Sequence, residues 1–282
     1  MEFRNERDVL IAERMLHFPP LSQRIEGAWN LKLTNEFHMT GSSQLFKHQP
    51  AMGRLQLYEG KMIHQYVHDF SPPRYWVDEK AGRRELLGTD KDNGQILDYQ
   101  CYRLVHRSIG RNTDQRTMIA TVIPPNCFYG HSLNGSTPEL QGQQLVFATA
   151  LLNSLTLDFQ LRQSVTANLT MFFVYQLHVP RLGPDDVRFN PIVKRAAQLL
   201  CTTPEFDDLA EEVGLGNHKA GTTDPDERTR LRAELDGLVA HLYGLTEEEF
   251  VHILGTFPVV EASVKDAALA AYKAFAPKSG TL

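Results

Sequence analysis

Four arginines fall within 14 residues in the segment Tyr102-Arg103-Leu104-Val105-His106-Arg107-Ser108-Ile109-Gly110-Arg111-Asn112-Thr113-Asp114-Gln115-Arg116, mixed with Asn, Gln, Ser and Thr. A guanidinium offers paired donors to O6 and N7 of guanine, and a carboxamide makes the equivalent contact with adenine. Arg, Ser, Thr and backbone amides also hold phosphates. The segment therefore suits a DNA-reading loop. It equally suits a solvated loop whose arginines pair with Asp114 and Asp98. Arg103, Arg107, Arg111 and Arg116, with Asn112 and Gln115, are the first candidates for DNA contact. Lys61 and Arg74 come next, and Arg83 and Arg84 follow from a polar stretch.

Other residues could do different chemistry. His64 and His68 stand four apart, a metal-ligand spacing on a helix, with Asp69 adjacent. No HExxH glutamate or third ligand is nearby, so ordinary loop histidines explain them. Asp78-Glu79-Lys80 is a fragment of a metal-nuclease pattern, but it lies in a polar stretch and such triplets are common. Asn190-Pro191-Ile192-Val193 lacks the second Pro and the aromatic that would grip a flipped base, and reads as a helix start with Pro early in the first turn. GxGxxG, GxxxxGK[ST], GxSxG and HExxH are all missing. No catalytic and no metal residue is assigned.

These residues need elements to position them. Residues 6–17 have helical spacing and stop at Pro19-Pro20. Residues 29–37 alternate like a strand, 40–46 suggest a short helix or turn, and 55–66 a loop followed by a short extended or helical piece. From 71 to 93, Pro, Gly and charge predict a loop or irregular insertion. Residues 99–106 alternate as a strand before the arginine loop. The β-branched run 118–123, closed by Pro124-Pro125, is the clearest strand and reads as buried on both faces. A turn-rich stretch covers 129–142, a long apolar helix 145–161, and another strand 172–177.

The final third reads as helical: 191–201, 204–213, a flexible link at 214–223, and an amphipathic helix at 224–243 with Leu231, Leu235, Leu238, Val239 and Leu242 on one stripe. Gly244 ends that helix and Thr246 caps the next. The stripe formed with Ile253, Leu254 and Phe257 reads as core. Residues past 276 are expected to fray.

Composition bounds the function classes. The chain has 282 residues, 42% hydrophobic and 22% charged, enough for a real core. No apolar run reaches the roughly 20 residues of a membrane span, and the charged start, residues 1–7, is unlike a signal peptide. Cys101, Cys127 and Cys201 are far apart, which disfavours a disulfide framework and fits a reducing cytoplasm. The net charge is −5, but residues 1–203 carry 22 Lys and Arg against 19 Asp and Glu, whereas 204–261 carry 4 against 14. A nucleic-acid surface is expected in the first part, with the acidic end facing away from DNA onto a partner domain.

Five segments, in order, carry a resemblance. Leu57-Tyr58-Glu59-Gly60-Lys61-Met62-Ile63-His64-Gln65-Tyr66 resembles an "LYEGKMIxQF" motif, and 102–125 a "YRxxxRxIxxxTxxRTxIxxxxPP" stretch. Residues 151–162, with Asn153 and Asp158, resemble "LLNSxxxDYxLR"; 172–180 resemble "FxxxQLPVP" with His178 for Pro; 232–258 resemble "RAELDAxVAxLYGLTxxxxxxILxxFP". These are similar to the C-terminal target-recognition region of bifunctional (type IIG-like, single-polypeptide) restriction–modification DNA methyltransferases, including phage-exclusion methylases. The family's "FDHRFxxY" becomes Tyr66-Val67-His68-Asp69-Phe70, with Asp69 where Arg is usual, which puts a phosphate contact there in doubt.

The resemblance implies a sequence-specific duplex DNA recognition domain of a phage-defence enzyme, lacking the methyltransferase core and not an enzyme on its own. S-adenosylmethionine and Mg are expected only in the missing domains, and the partners are duplex DNA and a methyltransferase or endonuclease domain, with no membrane. The alternative is a protein-interaction module whose acidic helices dock a methylase or nuclease subunit, with weak DNA contact. The expected fold is α+β: a mixed β-sheet region with packed helices over 1–190, the target-recognition region, followed by a helical C-terminal region over 191–282.

Overall fold

Within the β-branched run 118–123, Ala120–Ile123 is buried along its whole length and pairs into the sheet beside the arginine segment. The structure is a computed structural model that describes residues 6–165 and 167–276. The charged start at 1–5 and the tail past 276, where fraying is expected, lie outside the described residues.

The strands are β1 (Leu33–Thr34), β2 (Phe46–Lys47), β3 (Arg54–Tyr58), β4 (Tyr75–Asp78), β5 (Arg103–Arg107), β6 (Ala120–Ile123), β7 (Phe128–Tyr129) and β8 (Leu133–Ser136). The helices are α1 (Glu6–Leu16), α2 (Glu79–Leu87), α3 (Gly142–Leu152), α4 (Leu155–Arg162), α5 (Met171–Tyr175), α6 (Phe189–Leu200), α7 (Asp207–Glu212), α8 (Pro225–Leu242), α9 (Glu247–Gly255) and α10 (Ala262–Ala274). The fold is α+β with a helical C-terminal part. No helix of the described residues is long and apolar enough to cross a membrane.

Two four-stranded sheets form, in the orders β1-β8-β5-β6 and β2-β4-β3-β7. The first is antiparallel, with Arg103 opposite Ile123 and Val105 opposite Thr121. In the second, β3 and β7 run parallel. Alternation along β5 sorts its side chains into two cores. Leu104 joins Val122 in the large core with the helices, whereas Val105 and Ile123 pack with Tyr58, Cys127 and Tyr129 between the sheets. Leu57, Val77 and Phe128 point to the opposite face of the second sheet, towards Leu86 of α2. The α2 helix lies so close that a Cβ on Gly82 would sit 2.6 Å from the Phe128 ring. The large core includes residues on both sides of position 190.

Several sequence expectations need correction. The stretch 71–93 is not an irregular loop: it holds β4 and α2, with the Asp78 carboxylate capping the helix by accepting from the Ala81 amide at 3.2 Å. The apolar run 172–177 is helical at α5 rather than a strand, because a short aromatic run carries no decisive period. The helix expected over 145–161 is two helices. It breaks at Asn153-Ser154, where the Ser154 hydroxyl caps α4 through the Leu157 amide. The turn-rich stretch hides β8, whose Asn, Gly and Ser mask a strand; the Tyr129 hydroxyl lies 2.5 Å from where a Cβ on Gly135 would stand. Of 29–37, only Leu33–Thr34 pairs as a strand. By contrast the Thr246 cap forms as expected, with Thr246 and Glu249 bonding each other's amides at 2.7 and 3.2 Å.

Candidate nucleic-acid interface

The loop between β5 and β6 is tied down by buried polar side chains. Asn153, at the end of α3, uses its carboxamide as a short piece of ladder: it accepts from the Ala120 amide at 3.1 Å and donates to the Ala120 carbonyl at 2.9 Å. One turn later the Asp158 carboxylate accepts from the amides of Thr117 at 3.0 Å and Met118 at 3.4 Å. Arg162 lies 3.7 Å from Asp158 and also donates to the Asp114 carbonyl near the loop's tip. At the other end, Gly110 admits no side chain, since a Cβ would fall 2.0 Å from the Thr117 carbonyl oxygen. Asn153 and Asp158 are thus fixed by packing, and what they position is the arginine loop.

The loop borders a cleft of about 680 Å³ whose walls come from distant parts of the chain: Arg107, Gln115 and Arg116, then His64, then Arg232 and Asp236 of α8, and Val264 of α10. Arg107 is half-buried, and its guanidinium donates to the Ile63 carbonyl at 2.5 Å. Arg116 donates to the Asn153 carbonyl at 3.3 Å and to the Asp236 carboxylate at 3.2 Å. Asp236, buried, also accepts from the Leu155 amide at 2.7 Å, so it caps α4 and anchors Arg116 together. Among the described residues, Arg107, Arg111 and Arg232 form no ion pair. Burial, then Arg107, Arg232 and Arg116, hold the His64 imidazole down at about 4. The exposed Phe70 ring packs on His64 with centroids 4.9 Å apart.

The remaining sequence candidates divide by environment. Arg111 is exposed, while its backbone amide is held by Asp114 at 3.1 Å. Gln115 is exposed, and Asn112 lines a second, smaller cleft beside Arg162. Lys61 is exposed, 3.6 Å from Glu59, and follows Gly60, whose Cβ would stand 3.7 Å from Cγ of Arg107. Arg74 is exposed over the Tyr75 ring, and Arg84 is exposed on α2. Arg83 is committed to Asp92, the Gln95 carbonyl and Gln100, which fasten the loop after α2. None of these last three lines the cleft.

Arg103 leaves the set of surface candidates. Its side chain is 0% exposed, pairs with Glu36, and donates to the Cys127 carbonyl at 2.6 Å. Glu36 in turn accepts from the Tyr129 amide at 2.8 Å, so the pair fastens β5 to β7 across the two sheets. Burial pushes the Glu36 carboxyl up to about 7 against the opposing pull of Arg103. Sequence spacing could not separate Arg103 from Arg107, because both sit on one strand and only one reaches solvent.

Of the histidine pair, His68 is buried and has both ring nitrogens engaged, with Tyr58 at 3.0 Å on one and Thr203 at 3.3 Å on the other. Among the described residues no group of three His, Cys, Asp or Glu could hold a metal. Asp78 is spent on its cap, and Glu79 accepts from the Tyr99 hydroxyl at 3.0 Å. Sequence reasoning missed Arg232 and Asp236. Their signal was available: a carboxylate between Leu235 and Val239 interrupts an apolar stripe and demands a buried partner.

No protein-family model matches the chain, and no curated protein matches it. Among solved structures it is similar to the Type IIL restriction-modification enzyme MmeI, determined in complex with DNA, at 11% identity and a TM-score of 0.46. The likeness covers 85% of this chain and 36% of that one, so the chain spans about a third of that enzyme's length.

Proposed function

We propose that the chain is a sequence-specific duplex DNA recognition region of a restriction–modification enzyme. In this reading residues 1–190 form the recognition part, 191–282 the helical support, and methyl transfer and cleavage belong to a separate domain. The observation that carries it is the anchored β5–β6 loop, which with the end of β5 presents Arg107, Gln115 and Arg116 at a cleft and leaves Arg111 exposed, while its base is fixed by Asn153, Asp158 and Asp236. Preorganised guanidinium and carboxamide groups are what base reading requires. The five resemblance segments supply the loop, the anchors and the α8–α9 pair. Lys61, beside Arg107, joins the surface as a backbone contact; Arg74 and Arg84 lie outside it and serve as peripheral phosphate contacts.

In this reading S-adenosylmethionine belongs to the separate methyltransferase domain. Titration with the labelled cofactor is expected to give no binding.

The test is selection from a random duplex library at near-physiological salt, with excess non-specific competitor. Recovery of a defined motif supports the reading. Recovery of none, alone or with a methyltransferase domain added in trans, overturns it in favour of a protein-docking module. Steep salt dependence separates the two further, because each neutralised phosphate adds about 0.9 to the slope.

A further inference from the structure

We propose that Arg232 of α8, with Arg107 of β5 and Arg116 of the loop, forms a phosphate-binding subsite beside His64, so that the C-terminal helices grip the DNA backbone. This deepens the DNA-recognition reading and rests on it. The acidic composition of residues 204–261 suggests a region turned away from DNA, yet α8 brings a guanidinium into the cleft that the arginine loop lines.

The three guanidiniums are unequally committed. Arg116 is matched by Asp236. Arg107 makes one bond, to the Ile63 carbonyl, and its Nε is buried with no partner among the described residues. Among the described residues Arg232 makes one hydrogen bond, donating to the Thr229 hydroxyl at 3.2 Å. Its neighbour Arg228 is occupied by the carbonyls of Leu199, Thr222 and Tyr66 and is not free to serve. Burial and then Arg116 depress Arg232 while Tyr66 and Asp236 act against them, so three guanidiniums share one ion-paired carboxylate in a half-dry wall. Such crowding is unfavourable unless an anion relieves it.

The surroundings point to a compact oxyanion. Asp114 and Glu261 also line the cleft, yet neither pairs with Arg107 or Arg232 among the described residues. The charges that act most on His64 are the three guanidiniums, with no carboxylate among its causes. A phosphate diester carries one negative charge on two oxygens and accepts bidentate guanidinium donors. Residues on one strand, two loops and a helix thus converge on a group found at every DNA position, which makes this a register-setting contact rather than a base-reading one.

The experiment compares wild-type protein with Arg232→Ala, Arg232→Lys and Arg111→Ala in two assays. In the first, duplex affinity is measured against salt. Arg232→Ala is expected to lower the slope by about one and to weaken selected and random duplexes by the same factor, leaving the selected motif unchanged. Arg232→Lys retains most of the slope. In the second, inorganic phosphate is titrated against chloride at matched ionic strength while the His64 ring protons are followed by NMR. A saturable shift in wild type, lost in Arg232→Ala, is expected. A wild type that binds duplex with a slope insensitive to Arg232→Ala overturns the subsite. A phosphate response at His64 without duplex binding upholds the anion site and overturns the DNA reading; neither response overturns both.

Discussion

Replacing Asn153 by Asp changes one atom pair at a buried position and tests whether its carboxamide holds the base of the β5–β6 loop. In the native protein Oδ1 accepts from the Ala120 amide and Nδ2 donates to the Ala120 carbonyl, in a site 4% exposed. An ionised Asp would set its second oxygen against that carbonyl with no proton between them. A protonated Asp restores both bonds, so folding would select the neutral acid. Holding a carboxyl of ordinary pKa about 3.9 neutral at pH 7 costs up to about 4 kcal/mol, and at pH 5 about 1.5 kcal/mol. Arg116, bonded to the Asn153 carbonyl but shared with Asp236, offsets part of this, so these are ceilings. The folded pKa is raised, hence stability is greatest at low pH and is lost as pH rises. Asn153→Ala instead strands the Ala120 amide, while the Ala120 carbonyl keeps the Tyr66 amide at 3.1 Å. That costs about 1–3 kcal/mol, independent of pH. Urea melts of both variants and wild type at pH 5, 6 and 7 are the assay, with each variant referred to wild type at the same pH. The Asp deficit should widen by up to about 3 kcal/mol over that range while the Ala deficit stays level. An Asp variant whose deficit runs parallel to wild type would refute the pairing scheme.

Three further outcomes follow from the same geometry. His106 is buried and bonded to the Arg107 carbonyl at 2.9 Å, and burial holds it down at about 4 against 6.5. Its folded pKa is depressed, so the unfolded chain binds the extra proton between those values, and this residue's share of the stability lost from pH 7 to pH 5 should be about 2 kcal/mol. His106→Leu should flatten that slope in denaturant melts, and an unchanged slope would reject the assignment. Arg103→Met leaves Glu36 buried without its cation and should cost about 3–5 kcal/mol, whereas Arg103→Met with Glu36→Leu should recover most of it. The double variant should select the same DNA motif as wild type; loss of selection would return Arg103 to the interface. Arg111→Ala removes an exposed side chain without an ion pair, so stability should move by no more than about 0.5 kcal/mol while duplex affinity falls. A stable variant with unaltered affinity would remove Arg111 from the contact set.

The elements that were legible in the sequence are those with a long, consistent period or an explicit cap. Helix α8 shows a stripe from Leu231 to Leu242 with Asp224 capping its start and came out close to its expected bounds, and α9 opens at the expected Thr246 cap. Strand β6 was legible because four consecutive buried residues are β-branched or small. The failures share a cause. The stretch 71–93 looks polar, but α2 is a surface helix whose single buried residue is a glycine, so no apolar stripe announces it. The run 172–177 is apolar, yet five residues cannot distinguish a period of 2 from one of 3.6. Strand β8 is built from Leu-Asn-Gly-Ser, and only its place beneath Tyr129 explains the glycine.

The candidate site was half legible, and the division follows how many parts of the chain each residue needs. Arg107, Arg111 and Arg116 are local: their density in one segment is visible without a fold. Whether a guanidinium reaches solvent is not local, and Arg103 shows why. It differs from Arg107 by two strand turns of the same face, but Glu36 arrives from 67 residues away to bury it. Arg232 is the converse case, a cation in an acidic third of the chain that folding carries to the basic loop. Summed charge over a segment therefore does not fix where each of its cations lies when a few residues are buried or brought across. Asp236 makes the same point chemically: one carboxylate caps α4 and fixes Arg116, joining the helical support to the loop. Loss of that carboxylate would free both at once, so the β5–β6 loop and the C-terminal helices are coupled through a buried acid that α8 supplies.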